Sequence, residues 1–220
     1  MGQTMSNFTG SLAEKQLVRQ VIDVTLPVAC RDISIVLSNR YGTRQLRIEH
    51  AWIERVSGAV KPVLFDGVAS VAISPGQSVE SAPIASRLSA GRLRICLEPA
   101  EGQTAITLGS GMDRTMFEVV SSDGENQFYW GLESIWGKSD RNTSPVCFFG
   151  DSFTNQGRYT GPASKLLMCS GIDAIPYNCG ISGNRLLHDA AGDSLWTPSF
   201  GPAAVTRFKC DVTFDGSVTR

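Results

Sequence analysis

The stretch that decides the fold is Ser144 to Gly157, SPVCFFGDSFTNQG. A short apolar run, Val146 to Phe149, is followed at once by Gly150-Asp151-Ser152. This pattern predicts a buried strand that ends in a tight turn and presents the hydroxyl of Ser152 at the start of a helix. A second glycine-rich turn, from Cys179 to Gly183, follows the next predicted strand.

These two turns suggest nucleophilic chemistry. A serine hydroxyl is a weak nucleophile until a base takes its proton and hydrogen-bond donors stabilise the oxyanion. The carboxyl ends of parallel strands share one sheet edge, where open α/β sheets bind ligands. The N–H of Ser152, helped by helix N-terminal polarity, and an N–H of the second turn would both face that edge. A plain helix cap at Asp151 is the alternative. The G-x-S-x-G elbow of the α/β-hydrolases is absent.

The chain after Pro145 alternates strand and helix, which predicts a parallel sheet with crossover helices. One helix is predicted from Gly161 to Ser170, with Ala163, Leu166 and Leu167 on one face. Another begins near Pro202 and ends at Asp215-Gly216. Its predicted buried side comprises Ala204, Val205, Phe208 and Val212.

The amino-terminal half reads as short strands separated by turn signals. Ile33, Ile35 and Leu37 alternate with other residues in Arg31 to Ser38, the pattern of a half-buried strand. Asp66-Gly67 predicts a hairpin. We therefore predict a flexible tail over 1–15, an antiparallel β-sandwich over 16–111, an ordered connecting segment over 112–143 and a separate domain over 144–220.

Composition narrows the function. The 220 residues are 42% hydrophobic and carry a net charge of -1. A chain with so small a net charge has no electrostatic field that would steer nucleic acid or an anionic membrane toward it. No apolar run is long enough to span a bilayer. The first residues lack a basic segment followed by an apolar core, so we predict no secretory signal and, by default, a cytoplasmic location.

Metal and cofactor chemistry are not expected. Six cysteines lack C-x-x-C spacing, and the chain has two histidines, His50 and His188. We predict reduced, mostly buried thiols, no metal site and no cofactor. His50 is predicted to be a surface or sheet-packing residue and His188 to lie in a surface loop.

Several stretches together resemble the GDSL, or SGNH, hydrolase family. VCFFGDSFTNQG resembles the first block of that family, and YNCGISGNRLLHDA resembles the second. FGPAAVTRFKCDV resembles the helix that follows in a subgroup with an amino-terminal β-sandwich. ISIVLSNRYGTRQLRIEHAWI and VLFDGVASVAISPGQSVESAPI resemble the sandwich motifs of that subgroup. The resemblance runs from about Gln16 onward.

This resemblance implies a β-sandwich followed by the beginning of a three-layer, flavodoxin-like hydrolase domain. It implies Ser152 as the nucleophile of an ester hydrolase, with Gly180 and the Ser152 amide as oxyanion donors. Asp151 would cap the helix, and Asn184 and Arg185 would fix the second turn. The implied substrate is a small-molecule, carbohydrate or lipid ester.

The chain departs from the family pattern in two blocks. It contains no Asn-Asp dipeptide, so the Gly-x-Asn-Asp block is missing. Neither histidine follows an aspartate by three residues, so the Asp-x-x-His block that supplies the base is missing too. We expect this chain to be the amino-terminal part of a longer esterase. A carbohydrate- or protein-binding sandwich with an inert hydrolase remnant is the first alternative, and an interaction protein with a decayed hydrolase half is the second.

Overall fold

A computed structural model gives the structure of the chain and describes residues 1–4, 16–55, 58–104, 108–109, 117–119, 129–194, 196–212 and 218–219. The strands are β1 (Gly2–Gln3), β2 (Gln20–Leu26), β3 (Cys30–Ser38), β4 (Leu46–Arg55), β5 (Val60–Pro62), β6 (Val71–Ile73), β7 (Ser78–Glu80), β8 (Ile84–Leu88), β9 (Gly91–Pro99), β10 (Leu108–Gly109), β11 (Phe117–Val119), β12 (Tyr129–Trp130), β13 (Leu132–Lys138), β14 (Ser144–Gly150), β15 (Ala174–Gly180) and β16 (Val218–Thr219). The helices are α1 (Ser152–Asn155), α2 (Thr160–Cys169) and α3 (Ala204–Val212), with a 3₁₀ helix at Thr197–Phe200.

Two β-sheets share one apolar core. The first has the order β11-β2-β9-β4-β5, with β6 also paired to β4, and its strands are antiparallel. The second has the order β14-β15-β1-β13-β3-β7-β16, with β8 also paired to β3. Ile22 and Ile53 of the first sheet are buried in the same cluster as Ile35 and Leu132 of the second. The β-rich, largely antiparallel architecture predicted for the amino-terminal half is confirmed.

Local turn signals predict the strand reversals correctly. Asp66 and Gly67 both have a positive φ, 48° and 83°, and Phe65 pairs with Val68 across them. This is the geometry that a two-residue hairpin loop requires. Strand β9 ends at Pro99.

Strand β3 lies where the sequence predicts it, but the prediction that only alternate residues are buried is wrong. Every residue from Ile33 to Ser38 is buried. The hydroxyls of Ser34 and Ser38 have polar partners, since Ser34 donates to Glu80 and Ser78 donates to Ser38. Satisfied hydroxyls can be buried at low cost, so both faces of β3 lie inside the protein.

The predicted parallel strand pair is present. Strands β14 and β15 are parallel and in register over seven residue pairs, from Ser144–Ala174 to Gly150–Gly180. Helices α1 and α2 occupy the connection between them. The pair does not form a sheet of its own, because β1 joins β15 to β13 and makes it an extension of the second sandwich sheet. The wider three-layer, flavodoxin-like arrangement stays a prediction.

Described strands lie within both the predicted tail and the predicted connecting segment. Residues 5–15 lie outside the described residues, whereas β1 is inside the sheet, where a Cβ on Gly2 would lie 2.4 Å from the Tyr177 ring. Within 112–143, β13 pairs along β3 and β11 pairs with β2. These strands belong to the sheets rather than to a connection. The boundary predicted at residue 144 stays a prediction.

The helices begin and end close to their predicted limits. Helix α2 matches the predicted Gly161–Ser170 to within one residue, and its Leu166 is 68% exposed. Helix α3 begins two residues after Pro202, and its predicted end at Asp215-Gly216 lies outside the described residues. None of the helices in the described ranges is both long and apolar enough to cross a membrane.

Candidate active site

The carboxyl ends of β14 and β15 place the two glycine turns side by side. Gly150 and Gly180 are register partners at the last pairing of the two strands. Ser152 begins α1 two residues after Gly150 and is half-buried. The structure therefore puts the turn of Ser152 beside the turn of Gly180, as the sequence predicts.

Asp151 caps helix α1. Its carboxylate accepts a hydrogen bond of 3.0 Å from the N–H of Phe153. This contact satisfies one of the N–H groups that a helix start leaves without a partner. The capping role predicted for Asp151 is the one that the geometry shows.

The carbonyl of Ser152 accepts from the N–H of Gln156 at 3.0 Å, but the two donor groups of Ser152 have no acceptor among the residues that the structure describes. Neither its hydroxyl nor its N–H makes a hydrogen bond to another described residue. Helix α1 has only four residues, so the predicted help from helix polarity is small. Any stabilisation of an oxyanion here has to come from individual N–H groups.

The N–H of Gly180, predicted to donate to an oxyanion, donates to a side chain of the protein instead. The N–H lies 2.9 Å from Oδ1 of Asn178, which is fully buried. Nδ2 of Asn178 donates to the Thr154 carbonyl at 2.7 Å, and Nδ2 of Asn155 donates to the Gly180 carbonyl at 3.0 Å. The two amide side chains thus cross-link α1 to the second turn. Gly180 could donate to an oxyanion only by exchanging the bond to Asn178.

Replacing Gly180 by alanine should be more costly than replacing Gly150. A Cβ on Gly180 would lie 2.2 Å from the Asn155 nitrogen and 2.8 Å from the Thr154 carbonyl carbon, both of them backbone atoms. A Cβ on Gly150 would lie 2.3 Å from Thr154 Oγ1, an atom that can rotate away. We expect urea denaturation to show a loss of about 3 kcal/mol for Gly180→Ala and about 1 kcal/mol for Gly150→Ala. Equal losses would contradict the close approach of α1 to β15.

Arg207 connects the two turns through hydrogen bonds. The residue is 2% exposed, and its guanidinium donates to the carbonyls of Gly150 (2.9 Å) and Cys179 (2.8 Å). Its Nε donates to Oδ1 of Asn184 at 2.9 Å. The rigid guanidinium fork therefore fixes both strand ends and the second turn at once.

Asn184 completes this arrangement on the side of the second turn. Its Nδ2 donates to the carbonyls of Phe200 (2.8 Å) and Pro202 (2.7 Å), which lead into α3. The turn-fixing role predicted for Asn184 agrees with these bonds. The exposed Arg185 side chain donates to the carbonyl of Asp189.

A buried ionic network connects Arg207 to the sandwich. Asp211 accepts from Arg207 Nη1 at 2.7 Å and from Arg40 Nη1 at 3.0 Å, and Arg40 also contacts Glu133. Tyr177 donates to Glu133 at 3.1 Å. Burial raises the pKa of Asp211, while the two guanidinium groups act in the opposite direction. Burial likewise raises the pKa of Tyr177, next to the Glu133 carboxylate.

The predicted buried face of α3 is correct at Ala204, which is buried, but wrong at Val205 and Phe208 for this reason. Val205 and Phe208 are 56% and 50% exposed, whereas Arg207 and Asp211 are buried. Apolar content alone favoured the neighbouring side of the helix, which carries Val205 and Phe208. The i,i+4 spacing of Arg207 and Asp211 was the signal in the sequence that could have revealed the ion pair.

The described residues offer Ser152 no base. His50 is exposed on β4 in the first sheet, and His188 is exposed after the second turn. Neither hydrogen-bonds to Ser152. The described ranges also contain no cluster of three or more histidine, cysteine or acidic side chains that could hold a metal ion.

Comparison with known proteins gives carbohydrate esterases as structural neighbours. No protein-family model matches the chain, and no curated protein matches it. Solved structures of family two carbohydrate esterases do share similarity with it.

One such structure is a family two carbohydrate esterase from Clostridium thermocellum in complex with cellohexaose, at 12% identity and a TM-score of 0.24, covering 96% of this chain and 55% of that chain. Another is a carbohydrate esterase family 2 enzyme with a carbohydrate binding domain from Corynascus thermopiles (Myceliophthora fergusii), at 11% identity and a TM-score of 0.26, covering 96% of this chain and 60% of that chain. The chain thus spans little more than half the length of these esterases. Similarity at this level does not by itself define its function.

Proposed function

We propose that this chain carries the nucleophile turn of a GDSL/SGNH-type ester hydrolase, with Ser152 as the nucleophile. The observation that carries the proposal is the register of β14 and β15, which brings Gly150 and Gly180 together as partners. Ser152 follows this paired strand end with its hydroxyl and N–H free of partners among the described residues. The two blocks that resemble the family in sequence are the two turns that meet.

The reaction follows from these positions. Ser152 Oγ attacks the ester carbonyl carbon and gives its proton to a base, and the alcohol leaves once it has received a proton. Water then attacks the acyl-serine and releases the acid. The N–H of Ser152 is one donor to the oxyanion, and Gly180 is the second if its N–H leaves Asn178. Gly183 offers a further N–H on the same turn that has no acceptor among the described residues.

The base is proposed to come from outside these 220 residues. The family pattern places it in an Asp-x-x-His block, which this sequence lacks, and the described histidines make no bond to Ser152. A soluble base should therefore replace it in part.

Hydrolysis of p-nitrophenyl acetate with added imidazole tests this function. Imidazole can accept the Ser152 proton, so we expect a rate that rises with imidazole concentration above the rate of Ser152→Ala in the same buffer. The variant corrects for direct hydrolysis by imidazole. Ser170→Ala, which removes an exposed hydroxyl at the end of α2, should behave as the unsubstituted chain does.

Equal rates for the unsubstituted chain and Ser152→Ala at every imidazole concentration would contradict the proposal. The non-catalytic binding module would then be the better hypothesis. Rapid Ser152-dependent hydrolysis without imidazole would support the nucleophile but contradict the external base.

A further inference from the structure

Two cysteines lie in contact on the strands that lead to the site. Sγ of Cys147 on β14 is 3.1 Å from Sγ of Cys179 on β15. Cys147 is the register partner of Tyr177, two residues before Cys179, so both cysteines project from the same face of the strand pair. All six cysteines of the chain are free thiols in the structure.

We propose that Cys147 and Cys179 are an oxidation site, converted to an intramolecular disulfide by a low-molecular-weight disulfide such as oxidised glutathione. The proposal rests on the contact of the two sulfurs and does not depend on the esterase function. It assigns a role to two cysteines that the proposed reaction does not use.

The two thiols differ in a way that sets the order of steps. Cys147 is half-buried, whereas Cys179 is fully buried. The adjacent Cys179 thiol lowers the pKa of Cys147, whereas burial raises the pKa of Cys179. Cys147 is therefore the thiol that meets the oxidant, and Cys179 is the thiol that resolves the intermediate.

Each step exchanges one disulfide for another. The Cys147 thiolate attacks a sulfur of oxidised glutathione, the S–S bond breaks, and one glutathione thiolate leaves. Cys179 then loses its proton to solvent and attacks the Cys147 sulfur, which expels the second glutathione thiolate. The chain loses two hydrogens in total, and one oxidised glutathione becomes two reduced molecules.

The disulfide would act directly on the paired turns. A disulfide holds its sulfurs about 2.05 Å apart, so the two strands must adjust around the new bond. Cys179 also loses the S–H that donates to the Asp211 carbonyl at 3.1 Å. Asp211 is the ionic partner of Arg207, and Cys179 directly precedes Gly180. Oxidation therefore affects both the Arg207–Asp211 ion pair and the second turn.

The test uses a chain with its two exposed thiols removed, Cys169→Ser/Cys210→Ser, so that mass changes report the remaining cysteines. After incubation of this background protein with oxidised glutathione, we expect intact mass spectrometry to show the loss of two hydrogens without an adduct. Peptide mapping should join Cys147 to Cys179, and dithiothreitol should reverse the change. The cross-link closes the connection through α1 and α2, so the thermal midpoint should rise by about 5 °C.

Two variants in this background separate the roles of the thiols. Cys179→Ser keeps a donor to the Asp211 carbonyl and should trap Cys147 as a stable glutathione adduct. Cys147→Ser should slow modification of Cys179 by about tenfold or more, because the buried thiol is left to react alone.

The proposal is overturned if the background protein keeps its reduced mass. It is equally overturned if the disulfide joins another pair of cysteines, or if Cys179→Ser fails to trap glutathione while it retains the circular dichroism spectrum of the background protein.

Discussion

Arg207→Met is expected to lower the free energy of unfolding by about 3–5 kcal/mol. The substitution leaves the Asp211 carboxylate, which is fully buried, with Arg40 as its remaining ionic partner. It also removes the donor to the carbonyls of Gly150 and Cys179 and to Asn184. Methionine fills a similar volume but satisfies none of these acceptors, so the loss should appear in urea denaturation followed by circular dichroism.

Two further variants show whether charge or geometry matters. Arg207→Lys keeps a positive charge for Asp211 but loses the planar fork, so we expect a loss between those of the unsubstituted chain and Arg207→Met. Arg92→Met is the matched control, because the Arg92 side chain is 68% exposed and lies 3.7 Å from Glu118. The control should lose less than about 1 kcal/mol. If Arg207→Met loses no more unfolding free energy than Arg92→Met, Arg207 does not hold the two strand ends together.

Ser152→Ala is expected to abolish labelling by a fluorophosphonate probe. Such a probe phosphonylates a serine whose proton can be taken by a base, and imidazole supplies that base to the unsubstituted chain. We expect labelling to rise about tenfold or more on addition of imidazole, within the range of general-base effects. The variant lacks the attacking oxygen, so its labelling should stay at background with or without imidazole.

Ser170→Ala controls for nonspecific labelling of exposed hydroxyls. It should label as the unsubstituted chain does, because Ser170 lies at the end of α2, away from the paired strand ends. Persistent labelling of Ser152→Ala would show that another group reacts, and this result would remove Ser152 from the role of nucleophile.

Features encoded within a few residues could be predicted from the sequence. The Asp66-Gly67 hairpin and the cap at Asp151 each depend on local backbone chemistry. The pairing of β14 with β15 also followed, because a strand, a crossover helix and a second strand favour a parallel arrangement. Local sequence patterns were therefore enough to predict that the turns of Ser152 and Gly180 lie side by side.

Features that depend on distant partners could not be predicted. The buried face of α3 follows from Asp211 meeting Arg40, which is 171 residues away in the sequence. The N–H of Gly180 was predicted as a free donor, but it donates to Asn178, whose Nδ2 in turn donates to the Thr154 carbonyl, 24 residues away in the sequence. The insertion of β1 beside β15 depends on a glycine that fits against Tyr177 and Ser134. Composition and hydrophobic periodicity do not indicate which distant residues come into contact.

The most direct test of the nucleophile turn is to find the phosphonylated residue. The unsubstituted chain is treated with a fluorophosphonate in the presence and absence of imidazole, digested, and analysed by tandem mass spectrometry. We expect modification of Ser152 that depends on imidazole, as its proposed role as nucleophile requires. Modification of other serines, or none at Ser152 at any imidazole concentration, would contradict it.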